Sequence, residues 1–508
     1  MTRGTTVSTL ALIALAGPSF AEVTANEVWD NLTAYMADMG YEVTATETDT
    51  ARGLSLSDVT YSMDLPEDDG RLTVTAPDML FANAGDGSVD ITLPETSEMT
   101  ISVMVEDADD VVVSFDLTQS GLLVNASGDA DKMTYAMTGE SIGMVLAEVV
   151  EGGEALPPEV LRGQMSMGPL DATAVVAVED GARRVTQDVS YGDVSYDLSY
   201  QAPEDEGDSA GMLRGKVTGL AGAGEVLIPE GAATQDPAAM FESGFGVDAS
   251  VTHTGGETEF DFDDGSDRVS GTMTSTGGEI GMSMSRDKMV YAVKALGQAI
   301  NLRVPDMPFP IEGEIAEAGL SFELPLAASD TPQPLNLSVL LEDFTMADML
   351  WNLFDPQQQL PRDPATIGAN VQAQVTPFVS LLDEEALAKI EAEGAMPGEL
   401  NEVTLSDVVV RAIGAELLGK GAFTFDNTDL ESFGGMPAPE GQVDLQIAGI
   451  NGLIDRLIAM GFVQEQDAMG ARLMLGMFTV PGAEPDTATA TIEINDQGHI
   501  LANGQRIK

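Results

Sequence analysis

One short segment matches the motif that surrounds the nucleophile of many hydrolases. Gly139–Gly143 reads GESIG and centres on Ser141. In G-x-S-x-G enzymes the glycines allow a sharp turn from a strand into a helix, and this turn exposes the serine. The run IGMVLAEVV after Ser141 has the composition of a helix, but the surrounding sequence alternates as in an antiparallel sheet. We interpret the segment as a structural turn and keep a serine hydrolase using Ser141 as an alternative hypothesis.

A glycine-rich segment, Gly414–Gly421, approaches the phosphate-binding pattern G-x-x-x-x-G-K-[ST] with the letters GAELLGKG. The pattern needs a serine or threonine hydroxyl at its last position to reach magnesium, and this chain has Gly421 there. The segment therefore predicts no nucleotide site.

An acidic segment, Asp261–Asp267 (DFDDGSD), carries the carboxylates that calcium prefers. The order of an EF-hand loop fails, because the glycine is fifth instead of sixth and position twelve is Thr272. An exposed hairpin turn is the favoured interpretation. A calcium-assisted adhesion or assembly protein is kept as a second alternative, since the chain is strongly acidic.

The residue types that bind zinc are nearly missing. The chain has no cysteine, and its two histidines, His253 and His499, lie far apart in the sequence. Structural zinc sites need clustered cysteine and histidine ligands. We therefore assign no catalytic, cofactor-binding or metal-binding residue, expect no cofactor, and expect a protein without enzymatic activity.

Arg362 stands out because the chain has 22 basic residues against 84 acidic ones. It lies in the segment WNLFDPQQQLPRDPA, where the Asp-Pro pairs at 355–356 and 363–364 bracket a polar run. Proline disfavours helical geometry in the residue before it, so a helix is predicted to end at Asp355. We predict a structural joint in which Arg362 pairs with Asp355 or Asp363.

The first 21 residues read as a secretory signal peptide. Arg3 supplies the positive charge, Leu10–Ala16 is a short apolar run, and Ser19-Phe20-Ala21 is a cleavage site of the small-x-small type. The apolar run is too short to span a bilayer. We expect cleavage after Ala21, a mature chain of 508 − 21 = 487 residues, and a soluble periplasmic protein.

The formal charge of the chain is −62, and removal of Arg3 with the signal peptide makes it −62 − 1 = −63. A field of this sign repels nucleic acids and anionic lipid headgroups. The acidic residues are dispersed and hydrophobic residues make up 44% of the chain, so the composition favours a folded protein with an acidic surface.

The hydrophobic pattern predicts a mainly β protein (β-rich α+β) with large curved antiparallel sheets and a few short amphipathic helices. Apolar residues recur at helical spacing over Ala25–Met39, which predicts a helix there. From Tyr41 onward, short runs such as RLTVTAP and VVVSFDL alternate with period two between Asp, Gly and Asn turns.

Two similar segments indicate duplicated β units. Asp131–Met137 reads DKMTYAM and Asp287–Val293 reads DKMVYAV, 287 − 131 = 156 residues apart. Self-similarity at a fixed spacing is a signal of fold-level repetition. The predicted organisation is a signal peptide at 1–21, an N-terminal helix plus first β unit at 22–165, a second β unit at 166–332, and a C-terminal β/α unit with a closing hairpin at 333–508.

The last third follows a strand-then-helix plan. Thr345 is the predicted cap of a helix that follows the first of these strands, and Asn451 caps the helix after the second. The predicted elements are strands over Leu335–Phe344 and Val443–Ile450, a further helix over Gln464–Met477, and a hairpin of Thr489–Asn495 and His499–Ile507.

This last third also carries a family resemblance. The segments LWNLFDPQQQLPRDPAT, GKGAFTFDNTDLESFGGMPAPEGQVDLQIAGINGLIDRLIAMG and LANGQRI resemble domain of unknown function 2125, a family of exported proteins of Gram-negative bacteria. The resemblance is strongest from about Pro334 to the end of the chain. It implies an envelope protein with a large β-rich body and supplies no catalytic residues. More remotely, the plan is similar to β-rich envelope proteins of the AsmA type, which are linked to lipid or outer-membrane homeostasis.

The expected function is that of a non-enzymatic envelope protein that binds or scaffolds, with a lipid or another envelope protein as partner. An apolar ligand held on the sheet is consistent with the long alternating strands. The 27 methionines fit the same hypothesis, because methionine adapts to irregular apolar surfaces, although a plain core explains them equally well. The two alternatives are the calcium-assisted adhesion protein and the hydrolase using Ser141.

Overall fold

The structure is a computed structural model that describes residues 22–65, 70–105, 108–203, 207–232 and 237–508. The predicted signal peptide lies outside these residues. Strands hold 60% of the chain and helices 13%, which confirms the mainly β prediction. Within the described ranges, every helix is too short or too polar to cross a membrane.

The strands all belong to one antiparallel sheet. Their bounds are β1 (Glu42–Thr50), β2 (Gly53–Asp64), β3 (Gly70–Thr75), β4 (Met79–Asn83), β5 (Val89–Thr92), β6 (Thr96–Val105), β7 (Val111–Ser120), β8 (Leu123–Gly128), β9 (Lys132–Gly139), β10 (Ser141–Glu151), β11 (Glu154–Ala155), β12 (Leu161–Met167), β13 (Leu170–Glu179), β14 (Ala182–Tyr191), β15 (Asp193–Gln201), β16 (Ala210–Thr218), β17 (Ala221–Ile228), β18 (Gly246–His253), β19 (Gly255–Asp263), β20 (Arg268–Ser275), β21 (Gly277–Met284), β22 (Lys288–Arg303), β23 (Ile311–Pro325), β24 (Gln333–Met346), β25 (Ala365–Pro377), β26 (Gly398–Ala412), β27 (Ala415–Asp426), β28 (Ala438–Ala448), β29 (Val480–Pro481), β30 (Thr487–Ile494), β31 (Ile500–Ala502) and β32 (Gln505–Arg506).

The helices lie before β1 and in the connections between later strands. Their bounds are α1 (Ala25–Asp38), α2 (Pro237–Glu242), α3 (Asp348–Phe354), α4 (Glu384–Glu393), α5 (Ile450–Ala459) and α6 (Glu465–Phe478). Helices α2 and α4 fall in regions where the sequence analysis predicted none.

Between β2 and β22 the pairing runs in two side-by-side ladders. The first ladder is β2–β3–β6–β7–β10–β12–β15–β16–β19–β20–β22. The second ladder is β2–β4–β5–β8–β9–β13–β14–β17–β18–β21–β22. From β22 to β28 each strand pairs with the next, and β30 and β31 follow. The sheet is therefore an up-and-down meander.

A strand of one ladder continues, after a short junction, into a strand of the other ladder. The two ladders are therefore built from the same long segments of chain. Gly192 alone separates β14 from β15, and Asp58 in β2 and Gly297 in β22 take the left-handed conformation, each at φ 53°. An extra residue of this kind acts as a β-bulge, which bends the strand and shifts the alternation of the side chains that follow. In β14 the apolar positions are odd, as at Val185, and in β15 they are even, as at Tyr196. The extra residue thus keeps the apolar side chains on one face of both ladders.

Helix α1 confirms the predicted first helix. Thr24 and Glu27 form a capping box, in which each side chain bonds the backbone of the other residue. The prediction rested on the apolar spacing alone and did not include this cap.

The predicted cap of α3 is wrong. Strand β24 runs through Thr345 to Met346, and Ala347 is the cap without a side-chain bond. The pairing of Gly313 with Met346 holds Thr345 in the sheet. The predicted end of this helix at Asp355 is confirmed.

The predicted cap of α5 is also wrong. The cap position is Gly449 at φ 73°, and the backbone N–H groups of Asn451 and Gly452 donate to the carboxylate of Asp486 at 3.0 and 2.8 Å. Asp486, which follows α6 in the sequence, therefore caps helix α5. Burial alone would raise its pKa, but these hydrogen bonds and the charge of Arg472 hold it below the ordinary value.

The pairing does not stop at the predicted unit boundaries. Strand β12 lies between β10 and β15, and β24 pairs with both β23 and β25. The two repeated segments begin β9 and β22, each directly after a turn. The division into units and their duplicated origin stay predictions.

Candidate functional site

One side of the sheet is apolar in both ladders, and we call it the apolar face. In the first ladder, Met144, Met165 and Tyr196 are successive register partners on this face. In the second ladder, Ile280 and Val293 occupy the same side. The face is covered near the start of the chain and uncovered further along.

Helix α1 covers the start of the second ladder. Phe81 and Met133 are fully buried beneath it, and Trp29 packs edge-on against Phe81 with 6.0 Å between ring centroids. The Tyr135 hydroxyl donates to Asn31 at 2.9 Å, and burial raises the pKa of that phenol. The side chains under α1 therefore form an ordinary hydrophobic core.

Helix α2 covers the next strands of the second ladder. Phe241 and Phe245 of this region meet edge to face at 5.5 Å and bury Ile228, which is 2% exposed. Leu382, from the segment after β25, packs against the same cluster.

Beyond these helices the apolar face is uncovered. Ile280 is 50% exposed, a large value for a side chain on the hydrophobic side of a sheet. Soluble monomers rarely expose a contiguous apolar patch of more than a few hundred Å², and larger patches mark binding sites. The exposed large side chains of the face are Leu161, Leu198, Tyr200, Val251, Phe262, Met273, Ile280, Met282, Leu320, Leu337, Val339, Ile367 and Val410.

Four of these side chains and the half-buried Val293 form a continuous row across five strands of the second ladder and its continuation. The row is Val251, Ile280, Val293, Leu320 and Val339, each the register partner of the next. With strands about 4.8 Å apart, it is about 19 Å long. One leaflet of a bilayer is about 15 Å of hydrocarbon, so the row matches an extended acyl chain in length.

At the end of this face lies an apolar cavity of about 460 Å³, which we call the distal pocket. Its walls include Leu324, Leu335, Val375, Phe425, Phe433 and Met436. Five lining residues are prolines, at 325, 377, 397, 437 and 439. Proline fixes its own backbone angle, so these walls are stiff.

Local hydrogen bonds hold the loop that carries Phe433 and Met436. The carboxylate of Asp426 accepts from the backbone N–H of Thr428 at 2.9 Å, and Asp429 accepts from Ser432 at 3.0 Å. Hydrogen bonds from Thr428 and Ser432 hold the pKa of these two carboxyls below its usual range. The Asn427 side chain donates to the carbonyl of Leu400 at 2.8 Å and fastens the loop to β26.

The distal pocket was not predicted from the sequence. Its residues come from β23 to β28 and two loops, and no spacing rule joins them. The available signal is the pair of Met-Pro dipeptides, Met396-Pro397 and Met436-Pro437, which both line the pocket. The second dipeptide lies in one of the segments that carry the family resemblance.

Ser141 does not stand on a nucleophile elbow. It is the first residue of β10 and lies opposite Ser120 of β7. The chain continues as a strand to Glu151 where a helix would be needed. The geometry that exposes the serine in G-x-S-x-G hydrolases is therefore missing here.

The glycine-rich segment at Gly414–Gly421 also lacks its motif's geometry. Ile413 and Gly414 form the hairpin between β26 and β27, and the rest of the segment is strand. A phosphate loop needs a helix after the glycines, since the helix N-terminus faces the phosphate.

The acidic segment is the hairpin between β19 and β20. Its carboxylates are bonded within the turn: Asp263 accepts from Gly265, and Asp264 accepts from Ser266 and Asp267. Arg268 donates to Asp261 at 2.7 Å. Across the described parts of the chain, no three or more acidic, histidine or cysteine side chains are grouped to hold a metal ion.

Arg362 is a structural joint, but its predicted partner is wrong. Its guanidinium pairs with the carboxylate of Asp348, donates to Asn352 at 2.8 Å and to the carbonyl of Asp355 at 3.3 Å. It also lies 5.8 Å from the centre of the Trp351 ring. The Asp355 carboxylate, 1% exposed, instead accepts the backbone N–H groups of Gln359 and Leu360. The joint therefore fastens the strand β25 to helix α3.

The opposite face of the sheet carries charges that are already paired. Arg214 contacts Glu259 at 2.7 Å and Lys216 contacts Asp193 at 2.6 Å, both beside a groove of about 850 Å³. Exposed pairs of this kind contribute about 0–1 kcal/mol each. Because these cations are already neutralised, the larger groove offers less to an anion than its size suggests.

The comparison with known proteins gives one family match, and this match covers the residues of the distal pocket. No curated protein matches the chain. Residues 286–502 match the family described as an uncharacterized protein conserved in bacteria, domain of unknown function 2125. The matched range includes every lining residue of the distal pocket. This confirms the resemblance in the sequence, since residues 286–502 are similar to the family of domain of unknown function 2125.

Proposed function

We propose that this protein is a non-enzymatic periplasmic binding protein that holds the hydrocarbon chain of a lipid on its apolar face. The observation that carries the proposal is the row from Val251 to Val339, about 19 Å long, in which four of the five large apolar side chains are exposed. Covering such a row with hydrocarbon gains about 25 cal/mol for each Å² of apolar surface removed from water.

The charge distribution supports an apolar ligand over an anionic one. Lys288 and Lys294 of β22 point to the opposite face of the sheet, where each is paired with a carboxylate, Glu323 at 3.0 Å and Glu317 at 2.9 Å. A phosphate or carboxylate headgroup on the apolar face gains no ion pair from these lysines, and a strongly acidic protein repels it. Affinity must therefore come from the hydrocarbon.

Periplasmic location is part of the proposal and rests on the signal peptide pattern in the first 21 residues. Fusion of an export-dependent reporter to the carboxyl terminus tests it. Reporter activity that requires residues 1–21 supports export, and activity without them contradicts it.

Binding is tested by native mass spectrometry on full-length protein recovered from its own periplasm. We expect discrete mass additions that organic extraction removes and that lipid analysis identifies. Protein that carries no extractable lipid, and that also fails to bind dodecanol added in solution, would overturn the proposal.

A further inference from the structure

We infer that the distal pocket receives the free end of the bound hydrocarbon chain and thereby sets the chain length that the protein prefers. This inference rests on the proposed function and assigns a role to a cavity that the row of exposed side chains does not itself require.

The pocket is continuous with the apolar face. Leu324, which lines the pocket, is the register partner of Met289 in β22. Leu335, also in the wall, is two residues from Leu337, an exposed side chain of the apolar face. Val339, Leu337 and Leu335 lie on the same face of β24, so a chain that turns from the row along this strand reaches the pocket, about 13 Å away, without crossing a polar surface.

The chemistry of the walls excludes a polar headgroup. The side chains that line the cavity are aliphatic, aromatic, thioether or proline, apart from Glu399. Glu399 lies between Gly398 and Leu400 in the regular pairing of β25 and β26. Alternation along the strand turns its side chain away from the face that Leu400 occupies. A buried polar group without a partner costs free energy, so the end that enters must be wholly apolar.

The charge around the pocket also favours an apolar chain end over a headgroup. Asp426 follows the wall residue Phe425, and Asp429 lies in the same loop. Hydrogen bonds keep the pKa of both carboxyls below its usual range, so both are ionised at neutral pH. An anionic headgroup is repelled from this end of the site, which fixes the orientation of the chain.

The pocket acts as a ruler because its volume is limited to about 460 Å³ and prolines make its walls stiff. Pro325, Pro377 and Pro397 line it, and their backbones cannot relax freely around a longer chain. Each methylene that enters should raise affinity about fourfold until the pocket is full. Further methylenes should then add nothing or weaken binding.

The experiment is competition of unbranched primary alcohols with 8 to 18 carbons against the neutral fluorescent probe N-phenyl-1-naphthylamine. Two variants of the full-length protein alter the pocket in opposite directions: Val375→Phe narrows it and Phe433→Ala widens it. Val145→Phe, on the opposite face of the sheet, is the matched control. Thermal unfolding of each variant checks its fold.

For the unaltered protein we expect affinity to rise with length and then level off. Val375→Phe should move the plateau to chains shorter by one to three carbons and weaken the longest by at least tenfold. Phe433→Ala should move it to longer chains, and the control should leave it in place. Either pocket variant alone decides the question if the other fails to fold.

The outcomes separate the inference from the function on which it rests. Binding of alcohols with a plateau that neither pocket variant moves would overturn the inference and leave the proposed function standing. Failure of the unaltered protein to bind any alcohol would overturn both.

Discussion

Ile280 and Val145 are exposed almost equally, at 50% and 47%, but lie on opposite faces of one sheet. Ile280 is the register partner of Val293 on the apolar face, whereas Val145 lies opposite Asp116 and Gln164 on the polar face. Substitutions at these two residues therefore distinguish a loss of binding on the apolar face from a general effect of changing an exposed side chain.

The first prediction concerns ligand binding. Ile280→Glu places a charge in the middle of the exposed row, where a bound hydrocarbon would bury it at high cost. We expect at least a tenfold loss of affinity for dodecanol in the probe competition, with an unchanged unfolding midpoint. Val145→Glu should bind as the unaltered protein does, and equal losses in both variants would contradict a site on the apolar face.

The second prediction separates core from binding surface. Phe81→Ala removes a fully buried ring that contacts Trp29, and we expect a loss of about 3–5 kcal/mol in the free energy of unfolding. Phe262→Ala, at a side chain that is 49% exposed on the apolar face, should cost less than about 1 kcal/mol. Urea unfolding followed by circular dichroism gives both values. A larger loss for Phe262→Ala would mean that a neighbour covers this face.

The third prediction tests a bend in the sheet. Asp407 in β26 takes the left-handed conformation at φ 54°, which aspartate tolerates and β-branched residues do not. Asp407→Val should destabilise the fold by about 1–2 kcal/mol, whereas Asp407→Gly should be neutral or stabilising. Asp197→Val, in the regular strand β15, controls for loss of a carboxylate. A similar loss for the valine and glycine variants would show that the backbone angle is not the cause.

The fourth prediction is a pH dependence at the cap of α5. The pKa of Asp486 is lower in the folded protein than in the unfolded chain, so its contribution to stability is present above the unfolded pKa, about 3.9. That contribution is lost as pH falls through the folded value. Asp486→Asn should therefore lower the melting temperature at pH 6 and make less difference at pH 3. A deficit of the same size at both pH values would rule out the charged cap.

Alternation identified most strands, because a side chain on a half-buried sheet obeys period two whatever its partner strand is. The same rule could not show the two ladders. The break between Leu341 and Phe344 in β24 is visible in sequence as a lost alternation, but only pairing with β25 shows that it is a bulge. In the sequence, a bulge and the end of a strand both appear as a loss of alternation, and only the partner strand distinguishes them.

Both predicted caps, Thr345 and Asn451, were wrong, and the local cap of α1 was not predicted. Thr24 and Glu27 are three residues apart and form their bonds within α1. Asp486 lies 35 residues from Asn451 and reaches it only because β28 and β30 are paired. Arg362 follows the same logic, since Asp348 is 14 residues away and comes within reach when α3 folds against the start of β25.

The sequence by itself determined the antiparallel β class, the strongly acidic composition, the first helix and the resemblance to a known family, because alternation, charge and short motifs are properties of neighbouring residues. Only the tertiary structure decided which part of the apolar face stays uncovered and where the distal pocket lies. Coverage depends on where α1 and α2 dock. The pocket exists because paired strands bring Leu324, Val375 and Phe425 together, although they are distant in the chain.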